Sequence, residues 1–187
     1  FVPHMVGGPI MRAVDLLPQM TASRRFTYAN GVSGLRLIVQ GLFKKVVIAD
    51  SLAPMVDQVF RLYPWESGPD LALGAIYFAF QIYGDFSGYS DIAIGSAKLF
   101  GIELMTNFRT PYLARDIGDF WKRWHISLST WFRDFLYIPL GGNRVSRPRR
   151  VFNTLVTFIA SGFWHGANWT FLAWGAIHGL LYVPLIG

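Results

Sequence analysis

Cysteine is absent from the 187 residues, which excludes disulfides, thiolate metal sites and a cysteine nucleophile within them. Charge is scarce as well. Asp, Glu, Lys and Arg make up 15% of the chain, against about one quarter in an average soluble domain. There is no internal repeat and no low-complexity tract, and no stretch reads as a separate soluble domain. The missing GxSxG elbow removes the usual frame for a Ser-His-Asp triad, and no HxxxH pair is present to suggest a zinc site. No signal peptide can be read. Neither Phe1 nor Gly187 looks like a natural end, so an internal fragment is expected, with residues 1–187 forming the middle and C-terminal portion of a single transmembrane domain.

What is present is apolar and aromatic. Hydrophobic residues are 52% of the chain and aromatic ones 17%, and the length would supply five or six membrane segments at about 20 residues each. The net charge of +6 is gathered in short loops between apolar runs and lines no polar face. That distribution fits a positive-inside bias and lipid partners better than nucleic acid. The clearest basic loop is Gly141 to Arg150, with four arginines in ten residues, and it is expected on the cytoplasmic side.

Residues 119–142, DFWKRWHISLSTWFRDFLYIPLGG, carry the strongest pattern. At 100° per residue Phe120, Trp121, Trp124, Leu128, Trp131, Phe132 and Phe135 share one arc. Asp119, Lys122, Arg123, Arg133 and Asp134 share the other, which predicts one amphipathic helix at a membrane boundary with His125 turned inward. In isolation the same pattern also describes a surface helix of a soluble domain.

The flanking sequence gives further expectations. Residues 1–11 combine two prolines with Gly7 and Gly8, which suggests an irregular or re-entrant segment. Arg12 to Asn30 reads as a loop with a short amphipathic helix. From Gly31 to Phe60 an apolar helix is expected, with Arg36, Gln40 and Lys44 on one stripe, and Leu62 to Pro69 reads as an exposed turn. Leu71 to Leu104 is long enough for a span and a half, divided near its middle by YGDFSGYSD. There Asp85 and Asp91 are either solvated in a loop or hydrogen-bonded to other buried polar groups, since ionisable residues in spanning segments are costly. Val151 onward is an apolar run that reaches His165 roughly 22 Å from the basic loop, which would bury the imidazole within the membrane. Trp169 to Gly187 is long enough to span again, and Gly166 to Asn168 provide a break between the two runs.

Of the four histidines, His4 and His178 are expected to be structural. His165, flanked by Trp164 and Gly166, gains nothing over Leu by burial. Desolvation favours its neutral form, which can take a proton from a hydroxyl attacking a carbonyl. The spacing of 125, 165 and 178 matches no metal motif, so no metal and no tightly bound cofactor are expected. A proton relay through Asp85, Asp91, His165 and His178, as in a transporter, is the alternative from another class.

Two runs carry a resemblance that periodicity alone does not supply. YGDFSGYSDIAIGSAKLFGIELMTNFRTPYLARDIGDFWKRWHISLSTWFRDFLYIPLGG, followed by SGFWHGANWTFLAWGAIHG, resembles the membrane-bound O-acyltransferase family, specifically its bacterial alginate O-acetylation branch. The opening FVPHMVGGPIMRA is similar to that family's FxPQLxxGPIxR element, with His4 where Gln is usual. The resemblance implies an all-α, polytopic helix bundle around a central tunnel, with amphipathic interfacial helices, in the bacterial inner membrane. It assigns the catalytic histidine of the WHG element to His165 and the second histidine, in WHISLS, to His125. Trp124, Asp119, Trp164, Asn168, His178, Asp85 and Asp91 are the supporting or substrate-binding candidates. The implied donor is acetyl-CoA or another acyl thioester. The implied acceptor is a hydroxyl of an exported polysaccharide, reached through periplasmic acetyltransferase partners. D-alanyl transfer to teichoic acid stays open as the alternative within the family.

Overall fold

The computed structural model describes residues 7–187 and is helical, with no strand among them. His4 and most of the irregular opening segment lie outside the described residues. The chain divides into two compact units, residues 1–107 and 108–187.

The first unit begins with α1, Ala13–Thr21, the short helix expected after Arg12. Next comes α2, Tyr28–Leu42, started by Thr27, whose hydroxyl accepts from the Asn30 amide at 3.2 Å. It continues without a break into a π-helical stretch, Phe43–Ala49, and then α3, Asp50–Arg61. Such wide turns are rare and usually sit as inserts inside α-helices. The turn at residues 62–67 follows, and Ser67 then caps α4, Gly68–Leu99. The Ser67 hydroxyl accepts from the Asp70 amide at 3.4 Å.

Helix α4 runs 32 residues without interruption, so the expected division at YGDFSGYSD is not there. Its glycines serve packing and not a bend. A Cβ on Gly41 would stand 2.5 Å from the Gly88 carbonyl oxygen, and one on Gly95 2.5 Å from that of Gly34. The backbones of α2 and α4 therefore meet directly at two levels seven residues apart. Lys44, on the predicted polar stripe, reaches Asp91 at 2.6 Å with both side chains 17% exposed. Lys45 bridges Asp50 and Asp85, each at 2.7 Å. Asp91 thus takes the hydrogen-bonded reading, whereas Asp85, 55% exposed beside a Lys45 that is 44% exposed, stays solvated although it lies on a helix and not in a loop. A small apolar core of Ile94, Ala97, Ile102 and Leu104 closes the far end.

In the second unit, the expected single helix over 119–142 is replaced by α5, Ile117–Trp121, then α6, Ile126–Phe132, and a second π-helical stretch, Arg133–Tyr137. The break is at His125, whose backbone is left-handed at φ 43° and ψ 54°. That conformation is uncommon for any residue but glycine, although histidine visits it more than most, and it ends the amphipathic stripe after two turns. The Arg109 amide, beside the other left-handed residue Thr110, bonds the Arg123 carbonyl at 2.9 Å and holds the turn.

Helix α7, Arg147–His165, starts inside the basic loop, with Pro148 in its first turn, so its last four residues are helical after all. It packs on α8, Trp169–Tyr182. A Cβ on Gly162 would collide with the Phe171 carbonyl and one on Gly175 with that of Phe158, so these two helices also touch backbone to backbone. No helix among the described residues is long and apolar enough to cross a membrane. Physically, α7 carries three arginines in its first turn, α8 has only 14 residues, and α4 contains Asp85 and Asp91.

Candidate functional site

The second unit forms an open cavity of about 650 Å³ between the α6 segment and α7. Two of its lining residues are the histidines singled out from sequence, His125 and His165. The left-handed backbone at His125 turns this imidazole inward, where it is 5% exposed. Burial, and then the positive charge His165 can carry, push its pKa down to about 4, so His125 is neutral near pH 7.

His165 differs from expectation. It is exposed, not buried, because α7 ends there. Gly166 leaves the helical range at φ 169° and α8 starts only at Trp169. The ring stands at the cavity wall, neither sealed among packed side chains nor removed from the other histidine. Trp164 joins the two, with ring centroids 6.3 Å from His125 and 5.0 Å from His165. Trp174 continues the chain at 5.4 Å from His165 and 4.7 Å from His178. Trp121 closes it at 5.2 Å from His178. Three histidines separated by up to 53 positions in sequence (178 − 125) are thus held in one aromatic cluster.

The remaining candidates separate into neighbours of the cavity and scaffold. Trp124 lines the cavity and packs edge-on against Phe108 at 5.1 Å. Trp121 lines it too, although its indole Nε1, like Nδ1 of His178, is buried with no hydrogen-bond partner. Asp119 is engaged elsewhere. It accepts from Arg123 Nε at 2.8 Å and from the Arg115 amide at 3.2 Å, and the Arg123 bond holds its carboxyl below the usual range. Asn168 is the N-cap of α8, its Oδ1 accepting from the Thr170 amide at 3.2 Å. Asp85 and Asp91 belong to the first unit and are paired with lysines there.

Sequence reasoning missed a row of polar residues on α7. Arg150, Thr154, Thr157, Ser161 and His165 all line the cavity. Their offsets of 4, 7, 11 and 15 residues place them within an arc of about 80° at 100° per residue. The signal was available in VFNTLVTFIASGFW, where the hydroxyls recur at helical spacing inside a run that reads as apolar. The cavity is lined as well by Lys122, Arg133, Tyr137 and Asn143. Along α7 the lining thus runs from the Arg150 guanidinium through three hydroxyls to the His165 imidazole. Among the described residues no three His, Asp or Glu side chains cluster as a metal site would require.

Comparison with known proteins adds independent information. Residues 1–184 match the model of MBOAT, the membrane-bound O-acyltransferase family. The probable alginate O-acetylase of Azotobacter vinelandii is 49% identical over 177 residues, covering 95% of this chain and 35% of that protein. The peptidoglycan O-acetyltransferase of Helicobacter pylori is 44% identical over 182 residues, covering 96% and 34%. The teichoic acid D-alanyltransferase of Streptococcus thermophilus is 34% identical over 193 residues, covering 96% and 46%. The chain thus spans about a third to a half of the length of these curated relatives.

Proposed function

The chain belongs to the membrane-bound O-acyltransferase family, and from that membership we propose that the whole protein is a multi-pass enzyme of the bacterial inner membrane. It moves an acetyl group from a thioester donor toward hydroxyls of an exported polysaccharide such as alginate. The observation that carries this reading is the shared cavity of His125 and His165, with Trp164 between them.

In the proposed step the neutral His165 imidazole takes the proton of an acceptor hydroxyl while its oxygen attacks the thioester carbonyl. The C–O bond forms, the C–S bond breaks, and the imidazolium returns the proton to the departing thiolate. General base catalysis of this kind contributes about 10²- to 10⁴-fold. His125, neutral and fixed by its turn, positions or polarises the donor carbonyl. The exposure of His165 suits the role, since the base has to meet both reactants. Periplasmic acetyltransferase partners would carry the group on to the polymer.

The relatives weigh acetyl above D-alanyl transfer, because the two O-acetylating proteins are 49% and 44% identical and the D-alanyltransferase 34%. The 44% relative makes a cell-wall glycan the second candidate acceptor. A proton relay through Asp85 and Asp91 fits less well, because each carboxylate is held by a lysine. In the full-length protein, His165→Ala should remove acetyl groups from extracellular polysaccharide without loss of membrane expression. Acetylation at the wild-type level would refute the assignment.

A further inference from the structure

The outward face of α2 carries a cation among apolar side chains. Gly34 and Gly41 bring this helix against α4, and on its other side lies an open groove of about 590 Å³. The groove is lined by Val32, Leu35, Arg36, Val39, Gln40 and Phe43, whose spacing of three and four residues is that of one helical face. Leu35, Val39 and Phe43 are each more than half exposed. Arg36 is exposed as well and makes no ion pair among the described residues. Past the groove the apolar strip continues to the exposed Val46 and Val47. From Arg36 to Val47 it runs roughly 15 Å, half the thickness of a hydrocarbon core of ~30 Å. At the other end the composition changes. Arg24 and Arg25 are exposed in the turn before α2, and Phe26 and Tyr28 stand largely exposed beside them. Cations and aromatic rings at one end of an apolar strip are the arrangement of a membrane boundary.

We infer that this face of α2 is a binding site for an anionic phospholipid, with the phosphate at Arg36 and one acyl chain along Val39, Phe43 and Val46. Charge complementarity selects this occupant. A long side chain on a helix leans toward the N-terminus, which here is the end that holds Arg24 and Arg25. The planar guanidinium fork meets phosphate oxygens in pairs. Gln40, one turn further along, has an amide that can donate to the glycerol ester. A zwitterionic lipid would leave the guanidinium without a matching net charge. An apolar protein helix laid on the same face would bury it unpaired, which is costly in a membrane. The basic turn before α2 assigns the site to the cytoplasmic leaflet, where anionic headgroups attract such residues. The inference needs a bilayer around the protein and is independent of the acyl-transfer reading.

The test is lipid binding to the full-length protein in neutral detergent, read by native mass spectrometry. The probes are phosphatidylglycerol, phosphatidylcholine and glycerol phosphate, which has no acyl chain. Wild type should bind phosphatidylglycerol in preference to phosphatidylcholine and should not retain glycerol phosphate. Arg36→Gln should raise the apparent Kd for phosphatidylglycerol about tenfold. Arg36→Lys should recover part of that loss, and the affinity for phosphatidylcholine should barely change in either variant. Because Arg36 is exposed and unpaired, neither variant should lower the thermal midpoint in lipid-free detergent. Phosphatidylglycerol with a photoreactive acyl chain should label the peptide that contains Val39 and Phe43. Unchanged phosphatidylglycerol affinity in Arg36→Gln overturns the inference, as do equal weakening for both lipids and labelling confined to other peptides. A lower thermal midpoint in Arg36→Gln with no labelling of α2 would mean that another part of the protein covers this face and pairs with Arg36, which also overturns it. Glycerol phosphate retained as tightly as the lipid would leave the acyl groove without a role and defeat the site as a lipid site.

Discussion

The two units spend their polar groups differently. In the first, the charges within the helical packing are matched: Lys44 with Asp91, Lys45 with Asp50 and Asp85, and Lys98 with Glu103. In the second, Arg123 pairs with Asp119 and Arg133 with Asp134, but a row of polar side chains lines a cavity, and four buried polar atoms, on Trp121, Arg150, Asn153 and His178, have no partner, against Gln81 Oε1 and Ser87 Oγ in the first unit. Helix form follows the same division. Helix α4 is uninterrupted for 32 residues and packs through its glycines, whereas the segment from α5 to α6 is broken at His125, whose imidazole is buried. The difference that separates the units is therefore the cavity and the polar side chains that line it, with ion pairs present in both.

The largest effect that bears on this contrast comes from breaking a scaffold pair. Lys44→Met leaves Asp91 mostly buried beside an apolar side chain, and uncompensated buried charges cost about 3 kcal/mol or more. The expected result is a clear fall in the thermal midpoint of the detergent-solubilised full-length protein. Adding Asp91→Leu should restore most of it, because an apolar pair needs no counter-charge. If the single variant melts like wild type, the pair is not scaffold and the contrast between the units weakens.

The second test uses pH. His125 has an ordinary pKa of 6.5, lowered in the fold to about 4. Below 6.5 the unfolded chain takes up a proton that the folded one refuses, so stability is full above 6.5 and lost as pH falls toward 4. The difference of about 2.5 units corresponds to about 3 kcal/mol at most. Melting between pH 7 and pH 4.5 should therefore decline in wild type and decline less in His125→Gln, which cannot titrate. Equal slopes would show that His125 is not held neutral by its surroundings.

How much of this was legible beforehand depends on what each pattern averages over. The helical class and the Gly31 to Phe60 helix follow from local periodicity and are found; of the two readings left open for the aspartates, the cost of burying charge decides Asp91, paired with Lys44, while Asp85 is exposed. Composition was misleading at YGDFSGYSD, because glycine and serine signal a loop, yet here they let two helix backbones touch. The opposite error occurred at 119–142. A periodic stripe does not reveal that one residue inside it adopts a left-handed backbone. His125 and His165 were named from sequence, but Arg150 was not, since it reads as part of a topological loop until α7 is seen to begin at Arg147.

The smallest effect separates capping from chemistry at Asn168, a supporting candidate that the structure places at the start of α8. Its Oδ1 accepts from the Thr170 amide at 3.2 Å, and its carbonyl accepts from the amides of Phe171 and Leu172. Removing the side chain in Asn168→Ala should cost about 1 kcal/mol by loss of the cap, read as a small drop in thermal midpoint. Asn168→Asp keeps the accepting oxygen and adds a negative charge at a helix N-terminus, where it is favourable, so its midpoint should match or exceed that of wild type. The two variants then divide the roles. A pure cap predicts that acetylation follows stability, lower in the alanine variant and normal in the aspartate one. A substrate contact through the amide predicts that Asn168→Asp folds well and transfers poorly, because the carboxylate has lost the N–H donors. That second pattern would move Asn168 from the scaffold into the site, beside His165.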